Sequence, residues 1–309
     1  MELNLLCCGI SDATLAGLHA SEEIALGERR SSLGSVYGLR IQGLDAAARL
    51  MQPDDDTLPL LEVRRETTGE RPHVTELDEW SAAFGLQGDS GWVRLSREPL
   101  RAQLRLDGPY NDEQVLHPFL AMTAAISNWW IGRHVLHAGA FVVDGGAWGV
   151  LGAKEAGKSS LLAQLATDGR AVLCDDLLVL DGQLAHAGPS CIDLRPGAAD
   201  RFGGEPLGVV GVRERIRLRL PRSDSRAVLR GWIVPTWGST VGVTAQPVRD
   251  RLKSVLGNYA LYRGPRDPAA AISLASLPVL VLTRPKDWGA MSDASAALLR
   301  ATRGFGGGG

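Results

Sequence analysis

The chain has 309 residues, 45% of them hydrophobic and 22% charged, with a formal net charge of −2. That is a globular composition, long enough for two domains or one large one. It gives no electrostatic reason to expect nucleic acid or an anionic membrane as a partner, and no apolar run reaches the roughly 18–20 residues that a membrane span needs.

Residues 3–7 read as a short strand, followed by a helical run to about residue 35 with a turn at Gly34. The opening MELNLLCCGI has neither a basic segment nor a small-residue cleavage site, so no secretion signal is expected. Residues 36–41 alternate loosely and read as a strand. Asp54-Asp55-Asp56 is expected to be a solvated loop rather than a metal site. Residues 60–64, 91–95 and 100–106 are further strand candidates with turn residues between them. Residues 1–110 therefore read as a smaller β-rich N-terminal domain, with a boundary in the turn-forming cluster Asp107-Gly108-Pro109-Tyr110-Asn111.

Asn111 with Gln114 three residues on forms a helix-start signature, and Pro118 lies in the first turn or kinks the helix beyond it. Residues 119–130 are apolar on most sides, as in a buried helix, with Trp129 and Trp130 expected in the packing rather than on a ligand platform. Next come strands at 137–143 and 147–151, a helix at 158–166, a strand at 171–174 and another at 177–180. This is the grammar of an α/β domain, residues 111–309. The glycines at 306–309 are expected to form a flexible tail without packing capacity. Cys7, Cys8, Cys174 and Cys191 make neither a CxxC zinc pair nor a disulfide framework, which fits a reducing, cytoplasmic setting.

Within that domain Gly152-Ala153-Lys154-Glu155-Ala156-Gly157-Lys158-Ser159 satisfies the pattern G-x-x-x-x-G-K-[ST] at every fixed position. An apolar strand leads in and an apolar helix, opening at Ser160, leads out. Consecutive backbone N–H groups of such a loop wrap phosphate oxygens, and the helix N-terminus adds partial positive charge. Gly152 and Gly157 permit the tight turn. Lys158 is expected to neutralise the terminal phosphates and the Ser159 hydroxyl to ligate Mg²⁺, so a nucleoside triphosphate such as ATP is the expected ligand. Lys154 and Glu155 occupy positions often held by small residues; Lys154 points to solvent or adds a phosphate contact. The chain has only four lysines, Lys154, Lys158, Lys253 and Lys286, and two of them fall inside this loop.

Asp175 and Asp176 end the strand that follows the next helix, where a βαβ unit returns a side chain beside the phosphates. One carboxylate there holds Mg²⁺ and the other accepts a hydroxyl proton. His137 sits at a strand start; His134 and His186 lack even that placement. Arg213, Arg215, Arg217 and Arg219 recur at the strand period, so four guanidinium groups share one face. That face is either solvated or a cradle for phosphates or an acidic peptide. Arg195 is a separate candidate for stabilising the charge of a transferred phosphate.

His137-Ala138-Gly139-Ala140, the glycine loop, and Gly169 through Asp175-Asp176-Leu177 together resemble the catalytic domain of the HPr kinase/phosphorylase family. The likeness extends to its bacterial relatives in lasso-peptide and other modified-peptide pathways, and Tyr37-Gly38-Leu39 resembles the opening strand of their N-terminal domain. The resemblance implies an α/β, P-loop kinase domain of the HPr kinase/phosphoenolpyruvate carboxykinase type. It implies an enzyme that uses ATP and Mg²⁺ to phosphorylate Ser or Thr on a peptide or protein, including precursors of ribosomal peptides, and it admits a homo-oligomer. It would make Asp175 the general base, Asp176 the metal-side carboxylate and His137 a supporting residue. The further Mg²⁺-binding glutamate of that family has no clear counterpart; Glu205 and Glu214 are the candidates. The residues alone also accommodate a small-metabolite kinase or a nucleotide-binding regulatory protein without transfer activity.

Overall fold

The structure, a computed structural model, describes residues 33–72 and 75–304. The strand expected at 3–7, nearly all of the helical run after it and the glycine tail lie outside those residues. Gly34 is not a turn but the start of a strand, and the strand expected at 36–41 is a hairpin. Strands β1 (Gly34–Val36) and β2 (Leu39–Gln42) pair antiparallel. Between them Tyr37 and Gly38 take φ values of 56° and 71°. Positive φ at both central residues gives the two-residue turn whose twist matches that of the flanking strands.

β3 (Leu60–Arg65), β4 (Glu76–Leu77), β5 (Ser81–Gly85), β6 (Gly91–Ser96) and β7 (Arg101–Leu106) complete a seven-stranded sheet ordered β1-β2-β3-β7-β6-β5-β4. The sequence pattern locates β3, β6 and β7 but misses β5, whose SAAFG lacks β-branched residues. The acidic stretch is a solvated turn, with Asp54 on Arg40 at 2.8 Å and Asp55 capping the Thr57 N–H.

The Asn111 capping box forms, its side chain accepting from the Gln114 N–H at 2.9 Å. Helical geometry breaks at His117 (φ −146°, ψ 121°), because the proline ring of Pro118 crowds the helical conformation of the residue before it. Helix α1 (Leu120–Trp130) then packs its buried residues into the core of the seven-stranded sheet. Trp130 is buried and donates to the Asp78 carbonyl, while Trp129 donates to the Gly264 carbonyl under the Arg266 guanidinium. Both tryptophans are packing residues.

The strand expected at 137–143 is β9 (Gly139–Val143), which begins two residues later, and an unexpected short strand, β8 (His134–Leu136), precedes it. They are followed by β10 (Gly146–Val150), α2 (Lys158–Thr167), β11 (Val172–Cys174), β12 (Leu178–Asp181), β13 (Leu184–His186), β14 (Cys191–Leu194) and α3 (Pro196–Phe202). The chain continues through β15 (Glu205–Val210), β16 (Arg213–Arg219), β17 (Arg226–Trp237), β18 (Gly242–Ala245), α4 (Val248–Leu256), α5 (Pro268–Ser276), β19 (Val279–Arg284) and α6 (Met291–Arg303). The central sheet runs β11-β9-β10-β17-β13-β12-β8, with β19 on the second half of β17 and β18 on β19. The simple βαβ unit expected around α2 is therefore split. β9 lies between β10 and β11, antiparallel to both.

Side chains alternate faces along these strands. Ala140 and Ala147 face the core built with α4 and α5, while Phe141 and Trp148 face the core built with α2 and α6. Both faces of the sheet are thus covered, as an α/β layer arrangement requires. β14, β16 and β15 form a third sheet. The residues from Leu33 onward make one compact unit, and among the described residues no helix is long and apolar enough to cross a membrane.

Candidate functional site

β10, β17 and β19 are adjacent and parallel, so their C-terminal ends open on the same edge of the sheet. In such sheets ligands bind outside the carboxyl ends of the strands. The 152–159 loop rises from that edge and turns through Gly152 (φ 136°), Glu155 (φ 71°) and Gly157 (φ 82°) before α2 begins. Gly157 is favoured there by its backbone and is tightly packed. Its φ is left-handed, and a Cβ there would stand 2.2 Å from Arg284 Nη2. Lys158 is buried, its ammonium donating to the Gly152 carbonyl at 2.6 Å. Burial pushes its pKa down, against the opposing pull of Asp176 and Asp175. Asn258 accepts the Gly152 N–H at 3.1 Å and anchors the start of the loop.

Asp175 follows β11 and is 2% exposed. Its Oδ1 accepts from the Ser159 hydroxyl at 3.1 Å, while Oδ2 is buried without a hydrogen-bond partner. Burial, reinforced by the Asp176 charge, raises its pKa to about 8. Asp176 has a left-handed backbone (φ 67°) and lines the cleft above the loop. His137 is also on the cleft wall. Desolvation and the nearby Lys158 charge hold its pKa below the usual histidine value, opposed by Asp176 and a hydrogen bond to the Asp176 main chain. The imidazole is therefore neutral at neutral pH.

The cleft encloses about 810 Å³ and gathers His137, Ala153, Lys154, Glu155, Gly157, Lys158, Ser159, Ser160, Asp176 and Arg195. Gly152 and Ala156 sit in the loop behind that wall, and Asp175 is reached through Ser159. Seven basic side chains line the cleft against four carboxylates, and three of the chain's four lysines are among them. An anionic ligand is the one this field favours. Arg195 and Glu155 pair across the mouth at 3.1 Å.

The arginine stripe expected on one face of β16 does not act as a unit. Arg217 is fully buried and grips Asp193 through Nε at 2.8 Å and Nη2 at 2.9 Å, and it also donates to the Glu113 and His117 carbonyls. Arg219 is spent on Glu113 and Glu205. Only Arg213 and Arg215 of the four line the cleft. The alternation is real, but the face is divided: Arg213 and Arg215 line the cleft, Arg217 enters the core, and Arg219 pairs with carboxylates nearer the surface. Glu205 is engaged by Arg219 and Glu214 is exposed on the opposite face of β16; neither lines the cleft.

Ser159, Asp175 with its unpartnered oxygen, and Asp176 supply the hard oxygen donors that Mg²⁺ prefers. The buried trio His117, Cys191 and Asp193 also has ligand atoms within 4.8 Å of one another. There the carboxylate is already neutralised by Arg217 and Arg215, which leaves a cation no charge to bind. Residues that escape the sequence pattern are Asn258, Trp237, Arg284, Lys286 and Trp288. Each comes from a segment with no recognisable motif, and only the convergence of strand ends brings them to the loop.

No protein-family model and no curated protein matches the sequence. Among solved structures the chain is similar to the Hpr(Ser) kinase/phosphatase from Coxiella burnetii. The two share 12% sequence identity with a TM-score of 0.31, over 56% of this chain and 99% of that one. The functional reading rests on the cleft itself.

Proposed function

We propose that the cleft binds ATP with Mg²⁺ and transfers the γ-phosphoryl group to a Ser or Thr hydroxyl of a peptide or protein. One observation carries this reading. A glycine loop with a buried lysine, capping α2, has its serine hydroxyl hydrogen-bonded to a buried carboxylate, with a second carboxylate beside it in the open cleft.

The loop N–H groups and Lys158 hold the terminal phosphates. Ser159 and Asp175 would hold Mg²⁺, which when bound neutralises phosphate charge and so favours departure of the ADP oxygen. Asp176 takes the proton of the acceptor hydroxyl, whose oxygen forms the new P–O bond as the bond between the γ-phosphorus and the bridging oxygen breaks. This exchanges the two carboxylate roles expected from the sequence, because Asp175 contacts Ser159 and Asp176 faces the cleft. His137, neutral, steadies the Asp176 main chain. Arg195, on leaving Glu155, neutralises charge on the transferred group. Arg213 favours an acidic acceptor segment, and Gln87, in the short turn between β5 and β6, reaches the same wall.

The test is incubation with γ-labelled ATP, Mg²⁺ and a panel of acidic Ser/Thr peptides and hydroxyl metabolites. Label is expected on peptide with wild type and on nothing with Asp176→Asn, which should still bind ATP. Undiminished transfer by Asp176→Asn removes the base assignment. Label on a metabolite alone, or binding without transfer to any acceptor, replaces the peptide-kinase reading.

A further inference from the structure

The ends of β17 and β19 carry a structure that phosphate binding does not need. Trp237, the last residue of β17, is 41% exposed and lines the cleft. The guanidinium of Arg284, the last residue of β19, lies 4.2 Å from the centre of its ring. Arg284 is 3% exposed, its Nε has no hydrogen-bond partner, and its Nη2 donates to the Gly157 carbonyl at 3.3 Å. Burying a guanidinium with so few partners is costly, and the ring and the loop carbonyl are what hold it. Arg284 thus covers one side of the indole and ties it to the glycine loop. Lys286 and Trp288 continue the same wall.

The topology sets which part of a ligand reaches this wall. β10, which carries the loop, has β9 and then β11 on one side and β17 and then β19 on the other. Asp175 and Asp176 follow β11, so the reacting end of a bound triphosphate lies on that side. The remainder of the molecule must leave across the loop on the β17 side, where the tryptophan is. An indole held by an arginine on one face and open to the cleft is a surface on which a planar heterocycle stacks.

We infer that Trp237, held by Arg284, is the nucleobase subsite of the cleft, so that the ligand is a purine nucleoside triphosphate rather than an inorganic polyphosphate. This rests on the triphosphate reading of the loop. Stacking is tolerant of base identity, so ATP and GTP should bind similarly and both more tightly than CTP.

The experiment is calorimetric titration of wild type, Trp237→Ala and Trp237→Phe with the Mg²⁺ complexes of ATP and of tripolyphosphate. Wild type should bind ATP about tenfold more tightly than tripolyphosphate. Trp237→Ala should lower ATP affinity about tenfold and leave tripolyphosphate within twofold, with Trp237→Phe restoring most of the loss. Equal loss for both ligands would make Trp237 a support of the loop and overturn the subsite, as would unchanged ATP affinity; in either case the triphosphate reading survives. If wild type binds neither ligand, that reading falls and takes the subsite with it.

Discussion

Replacing Arg217 with methionine should destabilise the protein strongly while leaving the phosphate loop untouched. The side chain is completely buried and makes two charge-assisted hydrogen bonds to Asp193, itself completely buried, plus two to main-chain carbonyls. Methionine keeps most of the volume but strands the Asp193 carboxylate. Its remaining partners are Arg215 at 3.5 Å and His117 at 3.7 Å. Breaking one side of a buried ion pair costs about 3–5 kcal/mol, and Arg215 offsets part of it, so roughly 3–4 kcal/mol is expected. At about 2 °C per kcal/mol for a chain of this size, the Tm should fall by about 6–8 °C. Differential scanning calorimetry measures it, and Asp193→Asn in the same chain should restore part of the loss. A fall under about 2 °C would show that Arg217 is not committed to Asp193. It would return the arginine stripe to the phosphate-binding role that its spacing alone allows.

His186 supplies a pH-dependent prediction. Burial, with the charges of Arg133 and Arg226 outweighing Asp181 and Asp55, holds its pKa at about 4 against an ordinary 6.5. Stability from the neutral ring is present above pH 6.5 and lost as pH falls toward 4, by about 3 kcal/mol. His186→Gln should therefore lose less stability than wild type between pH 7 and 4.5 in urea unfolding; parallel losses would contradict the assignment. Gly157→Ala adds a Cβ at left-handed φ and against Arg284, so a strain of about 1–2 kcal/mol, a Tm lower by a few degrees and at least tenfold weaker ATP binding are expected. Unchanged melting and binding would show that the loop relaxes freely. Glu155→Ala removes a carboxylate from the loop and releases Arg195, and should tighten ATP binding about twofold to fivefold at low salt. Weaker binding would mean that the Glu155–Arg195 pair shapes the loop.

The loop, the carboxylates and the helix start were legible because each depends on neighbours in sequence. A G-x-x-x-x-G-K-S stretch makes its own turn through glycine φ values and its own amide row, and Asn111 finds its partner three residues away. The Tyr37–Gly38 turn escapes notice for a related reason, since loose alternation on either side masks a two-residue break. Strand order was beyond reach. Nothing local to residues 139–143 says that β9 inserts between β10 and β11 rather than lying outside them.

Local chemistry therefore determined that this chain carries a glycine loop, a lysine within it and a carboxylate pair in the right succession. Tertiary structure decided which carboxylate meets Ser159, which two of four arginines reach the cleft, and that Trp237 and Arg284 stand beside the loop. Backbone turns and caps are set by residues within a few positions. Burial and strand-end convergence are set by packing among segments far apart in the chain, and the charge state and role of a side chain depend on that packing.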